Sequence, residues 1–177
     1  MSKSPMGVFD NYSAVVDRLG SEGLLLGSYD SAGKANFMTI GWGALGIVWS
    51  LPVWVVLVRP SRYTYGCIEH SGCFTVNVPT PAMAEACAIC GSRSGRDTNK
   101  CELAGLSPLP GLQVTAPTVS ECPIVYECKV VHRNDVLPKA LAEKIITGAY
   151  PKGDFHRVYF GEVLSAMADV GAAELLR

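Results

Sequence analysis

Val53-Trp-Val-Val-Leu-Val58 is an unbroken run of β-forming apolar residues held between Pro52 and Pro60. Six such residues with prolines at both ends are far too few to span a bilayer, and they read as a strand covered on both faces and placed centrally in a sheet. On its C-terminal side, Ser61 is a capping residue for a short helix over residues 62–70. Phe74, Val76 and Val78 then alternate with Thr75 and Asn77 as a further strand. Thr80-Pro81 combines a capping hydroxyl with proline at the first helical position and predicts a helix to about residue 90. On the N-terminal side, residues 24–30 and 35–40 flank the turn Ser31-Ala-Gly-Lys34 and predict a β-hairpin. Before it, residues 9–19 predict an amphipathic helix, with Val15, Val16 and Leu19 apolar and Asp17 and Arg18 in water, ended by Gly20 and Gly23.

The remaining sequence continues the pattern of short strands. Gly91-Ser-Arg-Ser-Gly95 reads as a polar loop, residues 97–103 as a turn or two of helix, and the proline-rich stretch 107–123 as a meander with short strands. Ile124, Tyr126, Cys128 and Val130 share one face of a strand whose other face carries Glu127 and Lys129, and residues 144–150 and 156–168 read as two more strands. Strands outnumber helices and do not alternate with them, and no G-x-G-x-x-G follows a strand, which excludes a Rossmann dinucleotide site. The class is mainly β: a closed or nearly closed antiparallel barrel with peripheral helices, in a single domain over residues 1–177.

Composition bounds the function. Of 177 residues 49% are hydrophobic, enough to fill one sizeable core, and the formal net charge of −1 offers no field for nucleic acid. No apolar run suits a membrane span, and Met1-Ser-Lys-Ser-Pro5 lacks the order of a secretory signal, so the expectation is a soluble, cytoplasmic protein. Seven cysteines, an odd number at irregular spacings, then read as reduced thiols. Cys87 and Cys90 have C-x-x-C spacing, but no second pair follows and His70, His132 and His156 are scattered, so no metal site is expected. The plain reading makes them small buried residues one helical turn apart; the alternative is a redox dithiol or half of a zinc site.

Three segments place polar residues where barrel elements would not need them. In Asn36-Phe-Met-Thr-Ile-Gly-Trp42, a glycine-containing strand end lets a ligand approach the backbone, and Trp42 can wall a planar ring. In Arg59-Pro-Ser-Arg-Tyr-Thr64, a strand leads into a helix N-terminus that bears two guanidiniums and two hydroxyls, an anion site in outline. In Cys90-Gly-Ser-Arg-Ser-Gly-Arg-Asp-Thr-Asn-Lys100, a polar loop carries three cations, of which Lys100 suits the same anion. Each has a plain structural alternative: a twisted strand end, a capped helix, an exposed loop. No Ser-His-Asp set, H-E-x-x-H or P-loop can be assembled.

Together these segments resemble the flavin reductase-like family, the FMN-binding split barrels, and in particular their flavoredoxin branch. The likeness also rests on Phe74-Thr-Val-Asn-Val-Pro79, Glu121-Cys-Pro-Ile-Val-Tyr-Glu-Cys128 and His156-Arg-Val-Tyr-Phe-Gly-Glu-Val163, in the family's order. It implies an antiparallel split barrel of Greek-key type that binds FMN and works as an NAD(P)H-dependent flavin oxidoreductase, or alternatively as an electron carrier with no nicotinamide site. It implies that Asn36, Met38, Thr39, Ile40, Gly41 and Trp42 line the isoalloxazine, with the Asn and Thr side chains at its polar edge. Arg59, Ser61, Arg62 and Thr64 would hold the phosphate, Ser94, Gly95 and Lys100 would close the phosphate and ribityl side, and Asn77 would assist from the adjoining strand. His156 matches a position near flavin and nicotinamide and is the candidate catalytic residue. Family members are homodimers with flavin sites near the subunit interface. Two positions depart from the pattern: Phe155 stands where an acidic residue is usual, with Asp154 one place earlier, and Cys101 where an aromatic is usual.

Overall fold

A computed structural model describes residues 3–177. The expected hairpin is formed by β2 (Leu24–Tyr29) and β3 (Ala35–Ile40), closed by a turn in which Gly33 adopts φ +77° and Asp30 accepts the N–H groups of Ala32 and Lys34. Around it lie β1 (Ser4–Pro5), α1 (Tyr12–Gly20), β4 (Gly43–Val48), β5 (Leu51–Val58), α2 (Tyr63–Ser71), β6 (Cys73–Val78) and α3 (Ala84–Ser92). The chain continues through α4 (Lys100–Leu103), β7 (Pro108–Pro110), β8 (Pro117–Val119), β9 (Ile124–Asp135), α5 (Glu143–Ala149), β10 (Arg157–Ala168) and α6 (Ala172–Leu175). The main sheet runs β3-β2-β6-β9-β10-β5-β4 with every ladder antiparallel, β1 adds to β10, and β7 pairs with β8 apart from it. The sheet curls without closing, as a split barrel does.

Strict alternation along the strands fills the barrel. Leu24, Leu26, Trp54, Val56, Val58, Phe74, Val76, Ile124, Tyr126, Cys128 and Tyr159 form one inner cluster, capped by Val15 and Leu19 of α1. The opposite faces of β2, β3 and β9 give Leu25, Phe37 and Val125 to a second cluster under α3 and α4, with Cys87, Cys90, Cys101 and Cys122. Gly161 sits at a register shift between β9 and β10, where a Cβ would collide with the Phe74 ring and Cys128. That glycine lets the two long strands coil around the core.

Several expectations change. The apolar run of β5 is neither central nor covered on both faces: β4, which sequence periodicity did not reveal, borders it as an edge strand, and Val55 and Leu57 remain half-buried. Pro52 lies inside β5, opposite Ile47, instead of bounding it. The turn between β4 and β5 consists of Trp49 and Ser50, at φ +51° and +62°, a left-handed pair without the usual glycine or asparagine. Residues 144–149 lie in the helix α5, not in a strand, and Tyr150 follows its end. Arg18 is buried; it donates to the carbonyls of Pro79 and Thr80 and pairs with Glu22, so it ties α1 to the end of β6. Neither Ser61 nor Thr80 caps its helix through the side chain. Glu127, on the face of β9 opposite Tyr126, is buried and accepts the N–H groups of Gln113 and Val114. The described cysteines are unpaired and buried. Burial raises their pKa values, that of Cys90 to about 11, so Cys87 and Cys90 are packing residues of α3.

Candidate functional site

A cleft of about 310 Å³ opens where the C-terminal half of β3, the end of β5, the start of α2 and the loop after α3 converge. Of the expected residues it is lined by Met38, Thr39, Ile40, Gly41, Trp42, Arg59, Ser61, Arg62, Thr64, Ser94, Gly95, Lys100 and His156. Leu57, Tyr63, Cys90, Gly91, Arg93 and Arg96 line it too, though no ligand role was expected of them. Tyr63, Cys90, Gly91, Arg93 and Arg96 belong to the polar segments themselves, whereas nothing in the apolar run marks Leu57. No carboxylate lines the cleft among the described residues, whereas five cations do: Arg59, Arg62, Arg93, Arg96 and Lys100.

The corner from β5 to α2 explains why an anion suits this place. Tyr63 and Thr64 are the first residues of α2, so their N–H groups have no intrahelical acceptor, and the helix dipole adds positive potential. Beside it stands Lys100, only 5% exposed, whose ammonium has a single long contact, 3.4 Å to the Cys90 carbonyl, and no carboxylate partner among the described residues. Burial lowers its pKa from the usual lysine value. A desolvated cation without a counter-ion is costly, and the cost is offset when an anion enters.

The other cations are already engaged to different degrees. Arg59 donates to the carbonyls of Ala149, Gly153 and Asp154 and lies 5.1 Å from the Tyr150 ring centroid, so it chiefly fastens the 149–154 loop rather than holding a ligand. Arg96 donates to the Ser61 carbonyl and covers the Tyr63 ring. Ser61 turns away from helix capping and gives both its N–H and its hydroxyl to the Asp154 carboxylate. Asp154 is held at φ +57°, a left-handed conformation that a non-glycine residue adopts at a cost.

On the opposite wall Trp42, 47% exposed, packs against His156 with ring centroids 5.0 Å apart. His156 Nδ1 lies 2.8 Å from the Tyr150 hydroxyl, and Tyr150 is stacked on Phe155. Burial, helped by the nearby Arg59, drives the His156 pKa down to about 4, so the imidazole is neutral at physiological pH. A flat apolar wall with a neutral imidazole faces a strongly cationic corner.

Two expected residues stand elsewhere. Asn77 is fully buried under β8, outside the cleft lining: its amide donates to the Leu25 carbonyl and Thr75 hydroxyl and accepts from Val119 N–H. Asn36 lies behind the cleft wall, where its Nδ2 donates to Thr64 Oγ1 at 2.8 Å. Both are buried polar residues of strands, and sequence alone does not separate a ligand contact from an internal one.

Comparison with known proteins accords with this geometry. Residues 16–176 match the flavin reductase like domain. The fold is similar to the flavoredoxin of Desulfovibrio vulgaris (Miyazaki F), with TM-score 0.68 and 28% identity over 82% of this chain and 68% of that one. It is equally similar to a flavoredoxin from Methanosarcina acetivorans, with TM-score 0.67 and 29% identity over 82% and 67%. An uncharacterized protein of Archaeoglobus fulgidus is 34% identical over 98 residues, 55% of this chain; the match spans about half the length of that relative, 55%. With the matched domain extending over nearly the whole sequence, the chain belongs to the flavin reductase-like family.

Proposed function

We propose that the protein is an oxidoreductase that holds FMN in this cleft and receives electrons from NAD(P)H. The observation that carries the reading is the buried, nearly unpartnered Lys100 ammonium facing a helix N-terminus, in a cleft lined by five cations and no acid among the described residues. Lys100, the Thr64 hydroxyl and the first N–H groups of α2 fit a phosphate; the backbone from Met38 to Trp42 fits the polar edge of a flat ring. FMN, when bound, supplies reversible hydride and single-electron chemistry. The protein's part is to fix the phosphate, to shield one side with Trp42 and His156, and to keep that imidazole uncharged. No side chain among the described residues is arranged as a nucleophile.

The likeness to two flavoredoxins at 28% and 29% identity favours a second reading, an electron carrier without a nicotinamide site. One experiment addresses both. Purified protein, or protein given FMN, shows a bound-flavin absorbance spectrum; adding NADH or NADPH without air bleaches it quickly if the first reading holds and leaves it unchanged if the second does. Failure to bind FMN defeats both.

The reading extends to a homodimer. The outer face of β4, β5 and β10 presents Ala44, Val55, Phe160 and Leu164, with Trp49 packed on Phe160 at its edge, and leaves them at least partly exposed. An apolar face of this kind on a charged protein suits a second copy. Light scattering that gives a monomer mass at micromolar concentration would refute it. The unpaired thiols accord with a reducing compartment such as the cytoplasm. Among the described residues, no helix is long and apolar enough to cross a membrane.

A further inference from the structure

We infer that Asn36 is a positioning residue that sets the direction of the Thr64 hydroxyl, so that Thr64 donates its proton to a phosphate oxygen of the ligand; this rests on the flavin reading above. A hydroxyl has one proton to give and two lone pairs to offer. Asn36 Nδ2 donates to Thr64 Oγ1 at 2.8 Å and so occupies a lone pair. Thr64 is 1% exposed and accepts this bond without donating to any of the described residues. Its proton is therefore unsatisfied inside the protein, and Thr64 lines the cleft. A buried hydroxyl proton without an acceptor is unfavourable, and a ligand oxygen relieves it.

Asn36 is itself held in place. It is 4% exposed on β3, and its Oδ1 has no partner among the described residues. Gly95, in the loop that closes the cleft, packs so closely that a Cβ there would collide with Asn36 Oδ1 and the Tyr63 ring. The amide is thus confined between strand, helix and loop, and its contribution to the ligand passes through Thr64. It does not touch the isoalloxazine edge, where the family resemblance alone would put it. A contact with the ring would matter to every flavin. Action through Thr64 matters only to a flavin that carries a phosphate.

The test is flavin affinity by fluorescence quenching with FMN and riboflavin as separate probes. Asn36→Ala is expected to weaken FMN roughly 3- to 10-fold, the worth of one oriented hydroxyl bond, and to change riboflavin less than twofold. In a Thr64→Ala background the same substitution has no further effect on FMN. Asn36→Asp keeps the volume, but its carboxylate takes the Thr64 proton; it should lower FMN affinity at least as much and again spare riboflavin. Equal losses for both flavins, or additive effects in the double variant, overturn the inference while leaving the flavin reading intact. Wild-type protein that binds riboflavin no more weakly than FMN overturns the inference as well. Wild-type protein that binds neither defeats the flavin reading and the inference with it.

Discussion

Replacing Lys100 with methionine should move ligand affinity and protein stability in opposite directions. Methionine has a similar unbranched reach and fills the same buried space without charge. In the ligand-free protein the ammonium is 5% exposed with only the 3.4 Å contact to the Cys90 carbonyl, so its desolvation is scarcely repaid. Burial lowers its pKa, so the unfolded chain holds the proton more tightly than the folded one. The penalty is therefore fully present below the lowered folded value and is relieved as pH rises through it towards the usual lysine value. Lys100→Met removes the penalty, and the ligand-free variant should melt at a higher temperature than wild type at neutral pH. FMN loses a charge-assisted bond of about 1.5–3 kcal/mol, which is roughly a 10- to 150-fold rise in Kd, while riboflavin binding changes little. Thermal melting of apoprotein and fluorescence titration with the two flavins read both effects. A variant that binds FMN as tightly as wild type, or whose apoprotein is less stable, would refute the assignment of Lys100 as a buried cation awaiting an anion.

Arg59→Ala should act on the loop it fastens: limited proteolysis should cut within residues 149–154 faster, and FMN and riboflavin affinities should fall by the same factor, since the phosphate is not its main partner. A loss confined to FMN would contradict this. His156, with its pKa lowered to about 4, is deprotonated while folded and protonates more readily when unfolded. Stability attributable to it is thus present above about pH 6.5 and declines as pH falls towards 4. Its ring protons, followed by NMR, should titrate below pH 5, and a midpoint near 6.5 would show the burial argument to be wrong. The seven thiols are buried with raised pKa values and should resist alkylation at pH 7 until the protein unfolds. Rapid labelling of Cys87 or Cys90 in the native state, read by mass spectrometry, would revive the dithiol alternative.

Much of the barrel was legible because its strands obey one rule. The inward positions of β2, β6 and β9 are apolar at every second residue, and the turn at Gly33 needs a positive φ. β4 escaped because Gly43 and Gly46 break its alternation and because the turn at Trp49 and Ser50 lacks the residues that advertise a hairpin. α5 escaped because Ile145, Ile146 and Thr147 are β-branched, and local propensity there gave way to the surroundings. The anion corner was visible in Arg59 to Thr64, since charge and hydroxyls cluster at a strand-to-helix junction. The partners of Arg59 and Asn36, and of Asn77 apart from Thr75, were not visible, because they come from segments 28 to 95 residues away and depend on how the barrel curls.

Gathering five of the molecule's cations around one opening has an effect that reaches past the opening itself. The whole chain carries a formal charge of −1, so once those five are set apart the remainder holds −6. The mouth is thereby positive in a molecule whose remainder is net negative. Anionic visitors turn it mouth-first as they approach, at a rate that falls as salt screens the field.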